Sequence, residues 1–173
     1  ALFNNNNPGS PGGAINCDSN CVLNLTNVTI SNNTAAGSNG ILSNGTVTAK
    51  NCTIANNSGG FSSGGISVGG SFTIGNSIVA GNSAVIGPDG NGTVISLGHN
   101  MIGNGSGLNG FTAPGDQVGV NPQLLPLANN GGATRTCALQ SNSPAINAGD
   151  DLLAPLTDQR GFIRSGFSDI GAY

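Results

Sequence analysis

The stretch "NCTIANNSGG", residues 51–60, decides the fold: two alternating apolar residues lead directly into an asparagine pair and a glycine-rich turn. Asparagine side chains compete with the backbone for hydrogen bonds, which disfavours a helix interior. The stretch therefore predicts a short strand that ends at a polar corner. The same phrase recurs as "NVTISNNTA" at 27–35 and as "NSIVAGNSA" at 76–84.

Superposing the three phrases places equivalent residues in columns. The apolar core column is Ile30, Ile54 and Val79, and a weaker fourth unit adds Ile102. Two further columns are made of asparagine, and their members are Asn27, Asn51 and Asn76 in the first and Asn33, Asn57 and Asn82 in the second. The repeat length is 24 residues from Ile30 to Ile54 and 25 from Ile54 to Val79. A fixed period of this length is typical of a solenoid.

Each unit also contains two other strand-like pieces. In the second unit these are "VTAK" (47–50) before the repeated phrase and "GGISV" (64–68) after it. In the fourth unit, Ile95 and Leu97 are predicted to match Phe72 and Ile74 of the third. An earlier, incomplete unit is predicted from "LFNNNN" (2–7) as its asparagine corner and "GGAI" (12–15) as its last strand.

Three short strands per unit with sharp polar corners predict one coil of an all-β, parallel β-solenoid. Stacked strands lie about 4.8 Å apart, so identical residues form ladders along the solenoid. Inward apolar residues would build a continuous core, and asparagine tolerates the left-handed backbone of a corner. Stacked amides can also hydrogen-bond from coil to coil. An antiparallel sandwich ranks second, because it does not require the same residue at the same phase of each unit.

The repeat fades after about residue 107, which predicts coils over 1–110 and a capping region over 111–173. An open solenoid end must be covered, and "LLPLANNGG" and "DDLLAPL" are predicted to supply apolar residues for that cover. Asp150, Asp158 and Asp169 with Arg160 are predicted to form the ion pairs of the cap.

The second half of the chain carries several motifs in a fixed order. They are "SLGHNMIG" (96–103), "GDQVG" (115–119), "NPQLLPLANNGGAT" (121–134), "SPAINAGD" (143–150), "TDQRGF" (157–162) and "DIGAY" (169–173). This order resembles the tail of secreted bacterial β-helix proteins of the choice-of-anchor Q type. The resemblance implies a right-handed parallel β-helix with a C-terminal cap on an extracytoplasmic protein. It implies no reaction, since that family has no agreed enzymatic activity.

Charge excludes some function classes. Only 6% of the 173 residues are charged, four of them are basic, and the net charge is −3. Such a chain has no electrostatic footprint for nucleic acid or an anionic membrane. No apolar run approaches the roughly 20 residues that a membrane-spanning helix needs.

The coils offer little for catalysis, although polysaccharide lyases and glycoside hydrolases share this fold class. Acid–base cleavage of sugars needs paired carboxylates. Between residues 22 and 110 the only charged residues are Lys50 and Asp89, so no catalytic residue, cofactor or metal site is predicted. The single histidine, His99, has no acidic neighbour in sequence and is interpreted as a corner residue, and "PDGNGT" (88–93) as a turn.

Cysteine spacing and Asn-x-Ser/Thr triplets bear on the cellular compartment of the protein. Cys17 and Cys21 flank three residues and predict a small disulfide loop, as an oxidising compartment allows. Cys52 is predicted to be a buried thiol, and a Cys52–Cys137 bridge is left open. Among eight Asn-x-Ser/Thr triplets, ladder roles are favoured for Asn27 and Asn51. The candidate glycosylation sites are Asn24, Asn44, Asn91 and Asn104.

Three functions follow from these observations. The first is a non-enzymatic extracellular or cell-surface structural protein, which would be a stalk, an adhesin module or a head-to-tail filament subunit. The alternative is a carbohydrate-active β-helix enzyme, and the third is an ice-binding solenoid, whose threonine array would break where Ile78 follows Thr29 and Thr53. In the first case an open first coil within residues 1–25 needs a partner. That partner is either the rest of a longer chain or the 110–173 region of a second copy.

Overall fold

The computed structural model describes residues 1–4, 6, 13–37 and 40–173, and in this part of the chain it is all-β. It contains 17 short strands and no helix among the described residues. The strands are short because each apolar pair runs into an asparagine or glycine corner. Of the predicted first unit, Asn5, Asn7 and Gly12 lie outside the described residues. No helix in the described ranges is long and apolar enough to span a membrane.

The strands stack into three parallel sheets and one small corner pair. The first sheet contains β1 (Leu2–Asn4), β4 (Thr29–Ser31), β8 (Thr53–Ala55), β12 (Ile78–Ala80), β15 (Met101–Ile102) and β17 (Gln117–Val118). The second contains β2 (Ile15–Cys17), β6 (Ile41–Ser43), β10 (Ile66–Val68), β13 (Gly90–Thr93) and β16 (Leu108–Asn109). The third contains β3 (Val22–Thr26), β7 (Thr46–Lys50), β11 (Ser71–Gly75) and β14 (Ile95–Ser96). The corner pair is β5 (Thr34–Ala35) with β9 (Ser58–Gly59). The predicted parallel β-solenoid is confirmed.

The inner core follows the repeat. Ile30 pairs with Ile54, Ile54 with Val79, and Val79 with Ile102, and all four side chains are fully buried. Phe3 of β1 extends the same ladder by pairing with Ile30. Parallel pairing sets each residue above its counterpart, so identical apolar residues remove one another from water.

The register of the fourth unit differs from the prediction. Ile95 pairs with Thr73 and is 57% exposed, while the buried Val94 takes the position above Phe72. The predicted match of Ile95 and Leu97 to Phe72 and Ile74 is therefore wrong by one residue. The fourth unit has one residue more than the third between its strand and its corner, and this residue is Leu97. Leu97 fits beside Gly75 because glycine has no side chain, since a Cβ added at position 75 would lie 2.9 Å from the Leu97 Cβ.

The C-terminal segment lies along the side of the coils and covers the outer face of the first sheet. β4, β8 and β12 are buried on both faces. Ala145 and Ile170 of the segment pack against Ile78 and Met101, which point away from the inner core. Within "DDLLAPL", Leu152 and Leu156 are 94% and 86% exposed, while the half-buried Leu153 lies beside Gly75 of the third sheet, so the apolar cover from this stretch is limited to Leu153. Apolar side chains on the outer face of a sheet must be removed from water, as those at an open end must, and the C-terminal segment covers this outer face.

The threonines of this face are covered as well. Thr29 Oγ1 donates to Gln159 Oε1 at 2.7 Å, and Thr53 Oγ1 accepts from the Ala172 N–H at 3.1 Å. They therefore do not form a free hydroxyl array. At the C-terminal end, Phe111 packs against the inner core, and parallel pairing continues as far as β17. The division of the chain at residue 110 stays a prediction.

The core register can be tested with Ile54→Asp. This change places an unpaired charge in the centre of the inner ladder, and we expect it to abolish cooperative folding. Val22→Asp is the matched control, because Val22 is also on a strand but is 74% exposed. Circular dichroism and thermal unfolding would measure both. An Ile54→Asp protein with wild-type stability would contradict the register.

The packing of the tail can be tested with Ile170→Ala. Ile170 is fully buried against the outer face of the first sheet, so its truncation should lower the free energy of unfolding by about 2–5 kcal/mol. Leu152→Ala, in the same segment but exposed, should change it by about 0.5 kcal/mol or less. Urea denaturation of both variants makes the comparison, and equal losses would show that the tail does not pack as described.

Candidate functional site

The second asparagine ladder is a buried chain of hydrogen bonds. Asn57 Oδ1 accepts from the backbone N–H and the Nδ2 of Asn33, at 3.1 and 2.8 Å. The N–H and Nδ2 of Asn57 in turn donate to Asn82 Oδ1, at 3.0 and 2.9 Å. The Nδ2 of Asn57 also donates to the Ile30 carbonyl of the preceding coil at 3.0 Å. From side chain to side chain, each coil thus donates to the oxygen of the next coil, while the Nδ2 also donates back to a carbonyl of the coil before.

This chain, the amide column, has different groups at its two ends. Asn6 begins it, with its N–H and Nδ2 donating to Asn33 Oδ1 at 3.1 and 2.9 Å. Asp89 ends it, because its Oδ1 accepts the two N–H groups of Asn82 at 2.9 Å each. Asp89 Oδ2 accepts from the Asn104 N–H at 2.6 Å. Asp89 is only seven residues after Asn82, so the corner loop folds back to put a carboxylate where the next coil would put asparagine.

Burial governs the electrostatics of Asp89. Desolvation raises the pKa of this carboxyl, and the N–H groups of Asn82 and Asn104 oppose that rise. An ionised carboxylate has acceptors only, so it accepts from the column and cannot donate onward. The sequence-based interpretation of 88–93 as a turn missed this role. The available signal was that Asp89 is the only acid between residues 22 and 110.

A second chain of hydrogen bonds, the mixed column, runs at the opposite corner. The Cys52 N–H donates to Ser77 Oγ, and the Ser77 N–H donates to Asn100 Oδ1, both at 3.1 Å. The N–H and Nδ2 of Asn100 then donate to Asp116 Oδ1, at 3.1 and 3.0 Å. The mixed column has the same direction as the amide column and also ends on an aspartate.

The first asparagine ladder has a different role. Asn27, Asn51 and Asn76 have φ values of 53°, 48° and 50°, so they hold the left-handed corner backbone that asparagine tolerates. No bond joins one of these amides to the next among the described residues. His99 takes the same position in the following coil with a φ of 53°, and its Nδ1 lies 2.8 Å from the Ala148 carbonyl.

Two members of the first ladder attach the tail to the coils. Asn27 Nδ2 donates to the Thr157 carbonyl at 2.6 Å. Asn76 Nδ2 donates to the Asp150 carbonyl, and Asn76 Oδ1 accepts from the Asp150 N–H, both at 2.8 Å. The amide of Asn51 is buried and has no partner in the described part of the chain. The ladder therefore combines corner geometry with anchoring of the tail.

Most carboxylates are held by backbone N–H groups. Those that accept such bonds are Asp89, Asp116, Asp150, Asp151, Asp158 and Asp169. The one ion pair in the described ranges joins Asp158 to Arg160, with Oδ2 and NH2 2.6 Å apart. The predicted ion pairing of Asp150 and Asp169 is wrong. Their Oδ1 atoms accept from the N–H groups of Leu152 and Asn147, because the tail is made of turns that leave N–H groups unpaired.

The cysteines divide into a bridge and two thiols. Cys17 and Cys21 form a disulfide, while Cys52 and Cys137 are free and buried, so no bridge joins them. Burial raises the pKa of Cys52 to about 12 and also raises that of Cys137. Neither thiol therefore has the exposed, low-pKa environment of a reactive cysteine.

The candidate glycosylation asparagines lie at the surface to different degrees. Asn24, Asn44 and Asn104 are exposed, whereas Asn91 is half-buried. The Asn104 Oδ1 accepts from the Ser106 N–H at 2.9 Å. Glycosylation of these four residues stays a prediction.

A polar groove of about 390 Å³ lies beside the end of the amide column. Its walls include the exposed amides of Asn56, Asn104 and Asn121, together with Asp89 and Leu124. Both oxygens of Asp89 already accept hydrogen bonds, so the groove has no free acid–base pair. No group of three or more His, Cys, Asp or Glu residues suited to a metal ion occurs within the described ranges.

Comparisons of the chain with family models, curated proteins and solved structures found no match. The class that the geometry defines is a parallel β-solenoid with hydrogen-bonded polar columns and a tail packed along one side.

The amide column can be tested with Asn57→Asp, compared with Asn56→Asp. Asn57 is buried in the column, and its exposed neighbour Asn56 has no bond in it. At position 57 the carboxylate would face Asn82 Oδ1 with no hydrogen to donate. We therefore expect Asn57→Asp to lower the free energy of unfolding by about 3 kcal/mol or more, and Asn56→Asp by about 0.5 kcal/mol.

The same pair predicts a pH dependence. Burial should raise the folded-state pKa of an aspartate at position 57 above its unfolded value. The folded state would then bind more protons, so stability falls as pH rises through that window. Thermal unfolding at pH 4 and pH 7 should show a larger Asn57→Asp deficit at pH 7. A deficit independent of pH, or equal in both variants, would contradict the buried column.

Proposed function

We propose that the chain is a non-enzymatic structural module of an extracellular or cell-surface protein. The observation that carries this proposal is that most of the carboxylates already accept hydrogen bonds from backbone N–H groups. Acid–base catalysis on a sugar needs a carboxyl group free to exchange a proton beside a second one. Here Asp89 and Asp116 end buried polar columns, and the other engaged aspartates hold turns of the tail.

The proposed compartment is supported by the disulfide. Cys17 and Cys21 are bridged in the first coil, and disulfides persist in oxidising compartments. The exposed triplet residues Asn24, Asn44 and Asn104 are compatible with surface glycans. The ordered tail motifs, through their resemblance to secreted β-helix proteins of the choice-of-anchor Q type, support the same location.

A stalk or adhesin module is the first form of the proposal, and a head-to-tail filament is the second. We place the stalk or adhesin module first, because it needs no contact between copies.

The groove beside Asp89 is the one observation that favours the carbohydrate-active alternative. Its exposed amides suit sugar hydroxyl groups, which would fit binding better than cleavage. Ice binding has less support, because Thr29 and Thr53 are buried under the tail.

The proposal predicts no lyase or hydrolase activity on acidic polysaccharides. New reducing ends and unsaturated products should stay at the level of the heat-denatured protein, because no carboxyl pair is free to act. Asp150→Asn and Asp158→Asn serve as controls. Turnover that either substitution abolishes would overturn the non-enzymatic assignment.

The location is tested on intact cells that produce the chain. An antibody against the folded domain and a membrane-impermeant biotin reagent should both reach it before lysis. A signal that appears only after lysis would contradict a surface location, whatever the result of the activity assay.

A further inference from the structure

Six Asn-Gly pairs occur along the chain. Their asparagines are Asn39, Asn44, Asn91, Asn104, Asn109 and Asn130. In such a pair the backbone nitrogen of glycine can attack the side-chain amide carbon of asparagine, because glycine has no Cβ to obstruct the approach. The attack needs a glycine N–H that is free and an asparagine carbonyl that can turn. Asn39 lies outside the described residues, so the structure decides among the other five pairs.

Three of the five pairs have a glycine N–H that is already donated. The donors are Gly45, Gly92 and Gly131, and their acceptors are the Cys17 carbonyl at 3.0 Å, the Gly107 carbonyl at 2.9 Å and Asn129 Oδ1 at 3.1 Å. The first two bonds join neighbouring coils, and a paired N–H must open before its nitrogen can react. The fold therefore protects Asn44, Asn91 and Asn130.

The pair at Asn109 is protected by a strand. Asn109 belongs to β16 and pairs in register with Thr93. Its carbonyl accepts from the Val94 N–H at 2.9 Å. Closing a ring between the Asn109 side chain and the Gly110 nitrogen turns this carbonyl, so the reaction would have to break the bond to Val94.

Asn104 and Gly105 have none of these restraints. The Gly105 N–H, the Asn104 carbonyl and the Asn104 Nδ2 make no hydrogen bond in the part of the chain that the structure describes. Asn104 is exposed, so water reaches its side chain. Its Oδ1 accepts the hydrogen bond from the Ser106 N–H. A donor at this oxygen stabilises the negative charge that develops there when a nucleophile adds to the amide carbon.

We propose that Asn104–Gly105 is a site of spontaneous covalent modification, at which Asn104 loses its side-chain amide and becomes aspartate or isoaspartate. Four features coincide there and at no other described Asn-Gly pair. They are a free nucleophile, a free carbonyl, an unbonded leaving group and an N–H on the reacting oxygen. The reaction needs no enzyme and no partner, so it does not depend on whether the chain is a structural module.

The reaction has two steps. The Gly105 nitrogen loses its proton to solvent and attacks Cγ of Asn104. The N–Cγ bond forms, the Cγ–Nδ2 bond breaks, and Nδ2 takes up a proton and leaves as ammonia, which gives a cyclic succinimide. Water then opens the ring, and the nitrogen recovers its proton. Opening at Cγ gives aspartate, whereas opening at the backbone carbonyl carbon gives isoaspartate, whose main chain is longer.

The modification would change two properties of this surface. Asn104 begins the triplet Asn104–Gly105–Ser106, so its conversion removes that candidate glycosylation site. It also places a carboxylate on the wall of the polar groove, which Asp89 lines as well. The Asn104 N–H donates to Asp89 Oδ2 at 2.6 Å, so the altered residue lies directly beside the end of the amide column.

The test compares the five described pairs within one molecule. The unglycosylated protein is incubated in mildly alkaline buffer, folded and, in parallel, unfolded in urea. Mass spectrometry with peptide fragmentation follows the conversion of each asparagine, and labelling by an isoaspartyl methyltransferase detects isoaspartate. In the folded protein we expect Asn104 to convert at least about tenfold faster than Asn44, Asn91, Asn109 or Asn130, because their ring closure requires local opening. In urea the five rates should become similar, because every glycine N–H is then free.

Two single substitutions assign the signal to Asn104. Asn104→Gln lengthens the side chain, so the succinimide ring cannot form and the conversion at this position should disappear. Asn109→Gln removes the neighbouring Asn-Gly pair and should leave the rate at Asn104 unchanged. Both asparagines are exposed, so neither change should disturb the fold.

Each result bears on the site. A folded-state rate at Asn104 no higher than the rate at Asn44 or Asn91 overturns the proposal. The same preference for Asn104 in urea would show that local sequence selects it, and it would overturn selection by the fold. Isoaspartate that persists in Asn104→Gln and is lost in Asn109→Gln would assign the modification to Asn109 and overturn the site.

Discussion

The structure depends on one directional constraint: each coil donates N–H groups at its corners to a side-chain oxygen of the next coil. A buried amide is costly unless it is paired, and a chain of paired amides strengthens its members. In the amide column, Asn57 Oδ1 accepts from the Asn33 N–H, and Asn57 Nδ2 donates both to the Ile30 carbonyl and to Asn82 Oδ1. A slip of one residue would break all of these bonds, so the polar corners hold the apolar ladder in register.

The tail depends on the same corners from the outside. Asn27 and Asn76 hold left-handed backbone, which turns their amides away from the coil axis toward the tail. The tail in return buries Ile78 and Met101, which a bare first sheet would leave in water. The solenoid and tail therefore form one packing unit, although the tail has no repeat of its own.

The few acidic residues have consistent roles. Asp89 and Asp116 stop the two columns, and those of the tail pair turn N–H groups that no strand reaches. Both columns therefore end on a side chain that accepts hydrogen bonds, and in the tail the same acceptor chemistry takes the place of strand pairing.

The sequence by itself determined the solenoid, the core ladder of Ile30, Ile54, Val79 and Ile102, and the asparagine columns. In stacked coils the phase within a repeat is also the position in space, so a local pattern carries the long-range register. Only the tertiary structure decided the register of Val94 against Ile95, the place of the tail, and the partners of Asp150 and Asp169. It also decided that Asp89, seven residues after Asn82, ends a column. These features join segments that do not belong to a common repeat. Their positions follow from packing and from N–H groups left unpaired by the strands, neither of which can be read from the period of the sequence.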